Sequence, residues 1–447
     1  MTGDTSARPA PRTALATAAA IRSGETSSEQ VVADCLERIA EREDVLRAWA
    51  HLDPELALAE ARRRDQEAPR GPLHGVPIGV KDLIDTADQP TAYGSPIYAG
   101  HRPHEDAVAV ARLRRAGAVI VGKTVTTEFA VFTPGPTTHP DDPTRTPGGS
   151  SSGSAAAVAA GGVPLALGTQ TAGSVVRPAS FCGVFGGKPT LGAIPTTGVK
   201  ACSPTLDHVG AFGRDVRDVA VALGVMAGDE ARFAPADLGA RPRFGFCRTA
   251  RWDAIEGPAR SALEAGAERL ARFADVVEVT LPAAFEGLVE AQQVIMAVEV
   301  RRSLAREHAD HPDQLSDQLR RYLDDAEHLV DRYEDALALA ERCRAQLPEV
   351  FADPALLLAP SVLGEPPPVA TTGDPLLCRS WTLLGTPAVS VPGLTGPTGL
   401  PIGAQVLAAP GRDGLALAGA GLAAVALEAS PTAFGNRSGS APGRHHP

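Results

Sequence analysis

From Pro147 to Ala179 the chain is made mostly of Gly, Ser, Ala, Thr and Val, with Arg177 as its one charged residue. Side chains this small let backbone segments approach closely but cannot fill a core themselves, so the stretch must lie against bulkier partners. The pattern around it alternates. Gly75 to Lys81 reads as a short strand, a helix is expected from about Asp106 to Ala116, and residues 118–122 read as a buried strand. A Pro/Gly/Ser/Thr-rich loop follows over 133–153, then an alanine-rich helix from about Ser154 to Ala160. Strand Val163 to Leu167 leads into a second small-residue loop, residues 168–174. Helices and strands in alternation predict an α/β sheet.

Upstream, Thr26 and Glu29 fit a capping box for a helix carrying Val31, Val32, Cys35 and Ile39. Residues 230–350 are charged and helical, with strand candidates only near Arg243–Cys247 and Val276–Val279. Strands resume at Leu356–Leu358 and Ala388–Val391, and Gly414 to Leu427 forms a closing helix. No internal repeat and no clear linker interrupts this pattern. The expected organisation is a flexible N-terminus (1–12), one domain (13–435) and a disordered tail (436–447). Within that domain the core lies at about 70–215 and a helical excursion at about 230–350.

Composition removes several function classes. The formal charge is −11, and no basic face exists to displace phosphate counterions, which argues against nucleic acid. No apolar run reaches the roughly 18 residues a membrane helix needs. Six cysteines are scattered without a CxxC, a pattern of reduced thiols that predicts a cytoplasmic location. His101 and His104 are separated by Pro103, and no Cys, Asp or Glu cluster completes a ligand set. Neither a metal nor a cofactor is expected.

Lysine usage is more informative. Only Lys81, Lys123, Lys188 and Lys200 are lysines among 42 basic residues, and all lie between positions 81 and 200. Arginine stays protonated at any usable pH, whereas a buried lysine can lose its proton. The clustering points to lysine chemistry in this region.

Two motifs mislead. Gly186-Gly-Lys-Pro-Thr190 lacks the first glycine of a phosphate loop, and Pro189 replaces the magnesium-holding hydroxyl. Gly149-Ser-Ser-Ser-Gly153 satisfies G-x-S-x-G with Ser151 central, but no strand precedes it as a nucleophile elbow requires, and His208 is an unremarkable partner.

Taken in order, several segments closely resemble the amidase signature family. They are Leu73-His-Gly-Val-Pro-Ile-Gly-Val-Lys-Asp82, Gly122-Lys-Thr, Thr127-Glu-Phe129, the Gly/Ser run from Pro147, and Gly168-Thr-Gln-Thr-Ala-Gly-Ser174. Phe181-Cys-Gly, Gly187-Lys-Pro-Thr190, Leu384 to Pro392 and Leu400 to Gln405 extend the resemblance towards the C-terminus. It is dense over roughly 70–215 and looser at both ends. It implies the amidase signature fold, an α/β architecture with a mixed central β-sheet sandwiched between helices on both sides.

Residue by residue, the resemblance implies a Ser–cis-Ser–Lys triad: Lys81 as base, Ser150 as bridge after a cis peptide bond, and Ser174 as nucleophile. Thr171, Ala172, Gly173 and Ser174 would supply the oxyanion hole. An alcohol is a weak nucleophile and needs such a base, and neutral Lys81 would take its proton through Ser150. Thr169 is a candidate neighbour of the lysine, although taken alone it reads as structural, as does His74. Lys123 reads as an ion-pair or carbonyl partner, and Lys188 and Lys200 as structural.

Substrate contacts are assigned to Gly149, Val125, Phe129 and Arg177, and also to the excursion and the loop Leu363–Thr372. Ala172-Gly173 replaces the family's frequent Gly-Gly. Arg177 stands three residues after the nucleophile, a placement similar to that of malonamidase-type small amidases. It would hold a substrate carboxylate by a bidentate pair or form a structural salt bridge.

The expected reaction is hydrolysis of a C–N bond in a small-molecule amide, with esters and carbamates (urethanes) as further substrates. A homodimer is the candidate assembly. Two rival readings are an ammonia-producing subunit like those that make glutaminyl-tRNA, and a non-catalytic binding module on the same fold.

Overall fold

The computed structural model describes residues 11–428. The tail expected over 436–447 and most of the N-terminal segment expected over 1–12 lie outside these residues.

Eleven strands among the described residues form one sheet. They are β1 (Trp49–Leu52), β2 (Pro77–Lys81), β3 (Val119–Thr124), β4 (Leu165–Gln170), β5 (Phe185–Lys188), β6 (His208–Gly213), β7 (Arg243–Cys247), β8 (Asp275–Val279), β9 (Leu356–Pro360), β10 (Ala388–Thr395) and β11 (Pro401–Ala408). Their order is β1-β3-β2-β4-β6-β5-β10-β11-β9-β7-β8. β2 runs parallel to β3 and β4, β7 runs parallel to β8 and β9, and the strands between these groups pair antiparallel. This is the mixed α/β sheet expected.

Every residue of β2, β3 and β4 is buried, as parallel strands covered on both faces must be. The two-residue period of β4 divides its side chains between the layers. Leu165 and Leu167 join Ile78, Val80 and Ile120 under the helices Val108–Arg115 and Val216–Ala227, whereas Ala166 packs with Ala155, Ala156 and Phe212 on the opposite face. Beyond β10 the same far face carries the helices of the excursion, where Ile295, Leu319, Leu323 and Ala340 pack towards Leu357 and Leu407.

Two expectations shift. The first long helix is Ser28–Leu46, capped by Ser27, whose side chain accepts from Gln30 N at 3.1 Å. The Thr26–Glu29 box does not form. Asp65 takes the N–H groups of Ser28 and Glu29 at 2.6 and 2.9 Å, Thr26 N donates to Ala20 O, and the Glu29 carboxylate pairs with Arg62. β4 starts two residues later than Val163 and continues to Gln170, because Gly168, Thr169 and Gln170 keep pairing with Gly210, Val209 and His208 of β6.

All six cysteines are buried and unpaired. No helix among the described residues is long and apolar enough to cross a membrane.

Candidate active site

Lys81 ends β2, and the parallel register of Val80 with Leu167 carries the next turn of β4 past its side chain. The lysine is fully buried. Its Nζ donates to Ser150 Oγ and to Thr169 Oγ1, each at 2.7 Å. Burial pulls its pKa down to about 7, against a smaller upward pull from Cys202 and Asp207. Near neutral pH a large fraction of such a lysine carries a lone pair and can accept a proton.

Ser150 follows a cis peptide bond with Gly149, and its carbonyl accepts from Thr127 N at 3.2 Å. The helix Ser152–Ala159 begins directly after it. A Cβ at Gly153 would sit 2.2 Å from Ala48 O and 2.4 Å from Val125 N, so only glycine lets this helix dock so closely. The neighbouring serines fasten the helix to β4. Ser151 Oγ donates to Thr169 O at 3.2 Å and accepts from Thr169 N at 3.3 Å, while Ser154 Oγ donates to Leu167 O at 2.7 Å. Of this serine run, only Ser150 meets the lysine.

Ser174 lies in the loop after β4. It is 7% exposed, and among the described residues its Oγ has no hydrogen-bond partner, Ser150 included. Four side chains hold the loop around it. Thr171 Oγ1 donates to Asp207 Oδ1 at 2.5 Å, Gln292 Nε2 donates to Thr171 O at 3.0 Å, and Thr382 Oγ1 donates to Ala172 O at 2.6 Å. Gln170 Oε1 accepts from Val175 N and Val176 N at 2.8 and 2.9 Å. The carbonyls of Thr171, Ala172 and Gly173 are thereby all engaged, the last by Arg177 N at 2.8 Å. The N–H groups of Ala172, Gly173 and Ser174 have no acceptor among the described residues, the arrangement that a developing oxyanion requires. Asp207 also takes Cys202 N and Ser203 N at 2.9 and 3.0 Å, and burial raises its pKa to about 6.

Arg177 is buried, and its Nη2 donates to Gly149 O at 2.7 Å and Thr372 Oγ1 at 3.4 Å. It thereby ties the segment of Ser174 to the peptide before Ser150. It pairs with no carboxylate among the described residues, and its Nε and Nη1 are buried without partners.

Beside this layer lies a cavity of about 500 Å³ bordered by Phe132, Phe181, Leu363, Thr371, Pro375 and Arg379. Its wall touches the site through Pro375, which lies against Gly173, and Thr372, between the lining residues Thr371 and Gly373, lies against Gly149. Leu363, Gly364, Glu365, Pro367 and Thr371 of the loop after β9 and Gln293 of the excursion border the cavity. Val125 and Phe129 do not. Val125 packs against Gly135 at the end of β3. Phe129, at a left-handed φ of 48°, turns its ring towards Tyr98 and Lys200.

The remaining lysines are tied up elsewhere. Lys123 reaches Ile84 O at 2.8 Å, Thr91 Oγ1 at 2.5 Å and Asp82 at 3.4 Å. Lys188 donates to Pro189 O and Thr386 O, and Lys200 pairs with Glu307.

Residues 30–417 match the family described as Amidase. A glutamyl-tRNA(Gln) amidotransferase subunit of Chloroflexus aurantiacus is 46% identical over 230 residues, 49% of this chain and 47% of the relative. The chain thus spans about half the length of that relative. The corresponding subunit of Rhodopirellula baltica is 36% identical over 86% of this chain and 90% of its own length. Among solved structures, one described as an amidase superposes with a TM-score of 0.85 at 33% identity, covering 92% of this chain and 99% of the other. Native peptide amidase from Stenotrophomonas maltophilia gives a TM-score of 0.82 at 29% identity, covering 97% and 100%.

Proposed function

The chain belongs to the amidase family, and from that premise we propose that it hydrolyses the C–N bond of a small amide through an acyl-enzyme on Ser174. The observation that carries this reading is the buried Lys81, whose hydrogen-bond partners among the described residues are the hydroxyls of Ser150 and Thr169. Neutral Lys81 accepts a proton from Ser150 as Ser150 takes one from Ser174, and Ser174 Oγ attacks the carbonyl carbon. The N–H groups of Ala172, Gly173 and Ser174 receive the negative charge, with Thr171 shaping the loop. As the C–N bond breaks, Ser150 returns the proton to the departing nitrogen. Water then attacks the ester by the same relay and releases the acid. Esters and carbamates suit the same steps.

Arg177 supports the finer reading of a carboxylated small amide of the malonamidase type, because two of its nitrogens have no partner. Gly149 then shapes the same wall of the pocket. A second reading is an ammonia-producing subunit, favoured by the relatives named as amidotransferase subunits. Assay of the purified full chain on primary amides, anilides, esters and carbamates, without ATP or partner, separates the two. Turnover of free small amides supports the hydrolase. Inertness towards all of them, alongside glutamine-dependent ammonia release once partner proteins are added, overturns it in favour of the second reading.

A further inference from the structure

A second buried guanidinium borders the cavity. Arg379, on the helix Leu376–Leu383, is 6% exposed. Its Nη1 donates to Gln292 Oε1, its Nε is buried without a partner, and no ion pair among the described residues includes it. With Nη1 engaged, the free side is the Nε–Nη2 edge, which presents two parallel N–H groups to a planar acceptor. A buried cation without an anion is costly, so a fold that keeps one unpaired has a use for it.

The acids around the cavity do not fill this place. Asp374 is exposed and accepts from Leu376 N at 2.9 Å. Glu365 is engaged by Thr398 and Leu400, and Glu256 is exposed. The positive charge lies in the wall and the negative charge at the rim.

We propose that Arg379 is a specificity-determining residue, its free guanidinium edge binding a carboxylate on the substrate at the end away from the scissile bond. This rests on the amidase reading above and deepens its carboxylated-substrate class by adding a residue of the cavity wall. Gln292 couples the contact to the chemistry. Its Oε1 accepts from Arg379 while its Nε2 holds the carbonyl of Thr171 at 3.0 Å. One amide side chain therefore sets the distance between the anion site and the oxyanion loop, and a substrate of matching length has its carbonyl in register with both.

The test uses monoamides of linear dicarboxylic acids, with two to five methylenes, against neutral alkyl amides of equal length. The wild-type chain is expected to prefer one charged length. Arg379→Met should lower kcat/KM on that substrate by about 10- to 100-fold more than on the neutral amides, the excess appearing mostly in KM, whereas any loosening of Gln292 falls on both classes alike. The matching free dicarboxylate should inhibit hydrolysis of a neutral amide by the wild type and not by the variant. Arg379→Lys, which keeps the charge but loses the two-point edge, should show a smaller loss confined to charged substrates, and it serves if Arg379→Met does not fold. Fluorophosphonate labelling of Ser174 requires no carboxylate, so it reports the parent reading separately. Equal losses on charged and neutral amides with labelling intact, or no charged preference in the wild type, would overturn the proposal. Absent labelling in the wild type would overturn the parent reading, and this one with it.

Discussion

Lys81 and Lys188 are both buried in the sheet, and burial pulls both pKa values down to about 7. Their neighbours differ. Lys188 Nζ, at the end of β5, donates to the carbonyls of Pro189 and Thr386, which accept hydrogen bonds but have no proton to give. Lys81 Nζ faces two hydroxyls, and one of them, Ser150, begins the segment that Arg177 fastens to the loop of Ser174. A hydroxyl can accept from one neighbour and donate to another, so it can pass a proton on. A lowered pKa makes a lysine available as a base, and a relaying neighbour gives it a proton to take.

Four variants break or sharpen this contrast. Ser174→Ala should abolish fluorophosphonate labelling and lower amide turnover by about 10⁵- to 10⁶-fold, the scale seen when a serine nucleophile is removed. Residual labelling elsewhere in the loop would place the nucleophile on another hydroxyl. Ser150→Ala keeps the nucleophile but cuts its route to Lys81, so turnover should drop by about 10²- to 10⁴-fold with an unchanged melting temperature.

Thr169→Val removes an acceptor that favours the charged lysine. The pH midpoint of turnover should move to lower pH, with about a tenfold loss of kcat from looser positioning of Nζ. A midpoint that does not move would show that Thr169 has no hold on the base. Lys188→Met should leave kcat within about threefold while costing about 1–3 kcal/mol in chemical denaturation, because two buried carbonyls lose their donor. A large loss of activity there would erase the distinction between the two lysines.

Much of this arrangement is legible in the chain because its parts are short runs of unusual composition in a definite order. Lys81 closes a Gly-Val-Lys-Asp strand, Ser150 follows a Gly-Gly pair, and Ser174 closes the loop after β4. The family resemblance therefore points to each of the three individually. Thr169 is harder to assign, since a threonine in a small-residue segment looks structural until parallel pairing sets it beside Lys81.

The residues that shape the loop of Ser174 are not legible. Asp207, Gln292 and Thr382 reach it from β6's approach, the excursion and the last third of the chain, and none stands in a motif. Arg379 escapes notice for the same reason. One arginine among many stands out only through its burial and through the absence of an ion pair to it among the described residues. Val125 and Phe129 show the converse, because a place in or beside a family-like segment says nothing about which way a side chain turns at a strand end or a left-handed residue.

The central claim is that neutral Lys81 activates Ser174, and the pH dependence of Ser174 labelling by a fluorophosphonate tests it most directly. Below its pKa Lys81 holds a proton and cannot accept another, so the wild-type rate should rise with pH, turn over near pH 7 and level off above it. Lys188→Met should keep that midpoint. Lys81→Arg retains charge and bulk but cannot deprotonate, so labelling should be slower by about 10³-fold and show no midpoint near neutrality. Rapid labelling of a folded Lys81→Arg protein with the wild-type midpoint would contradict the account and place the base on another residue.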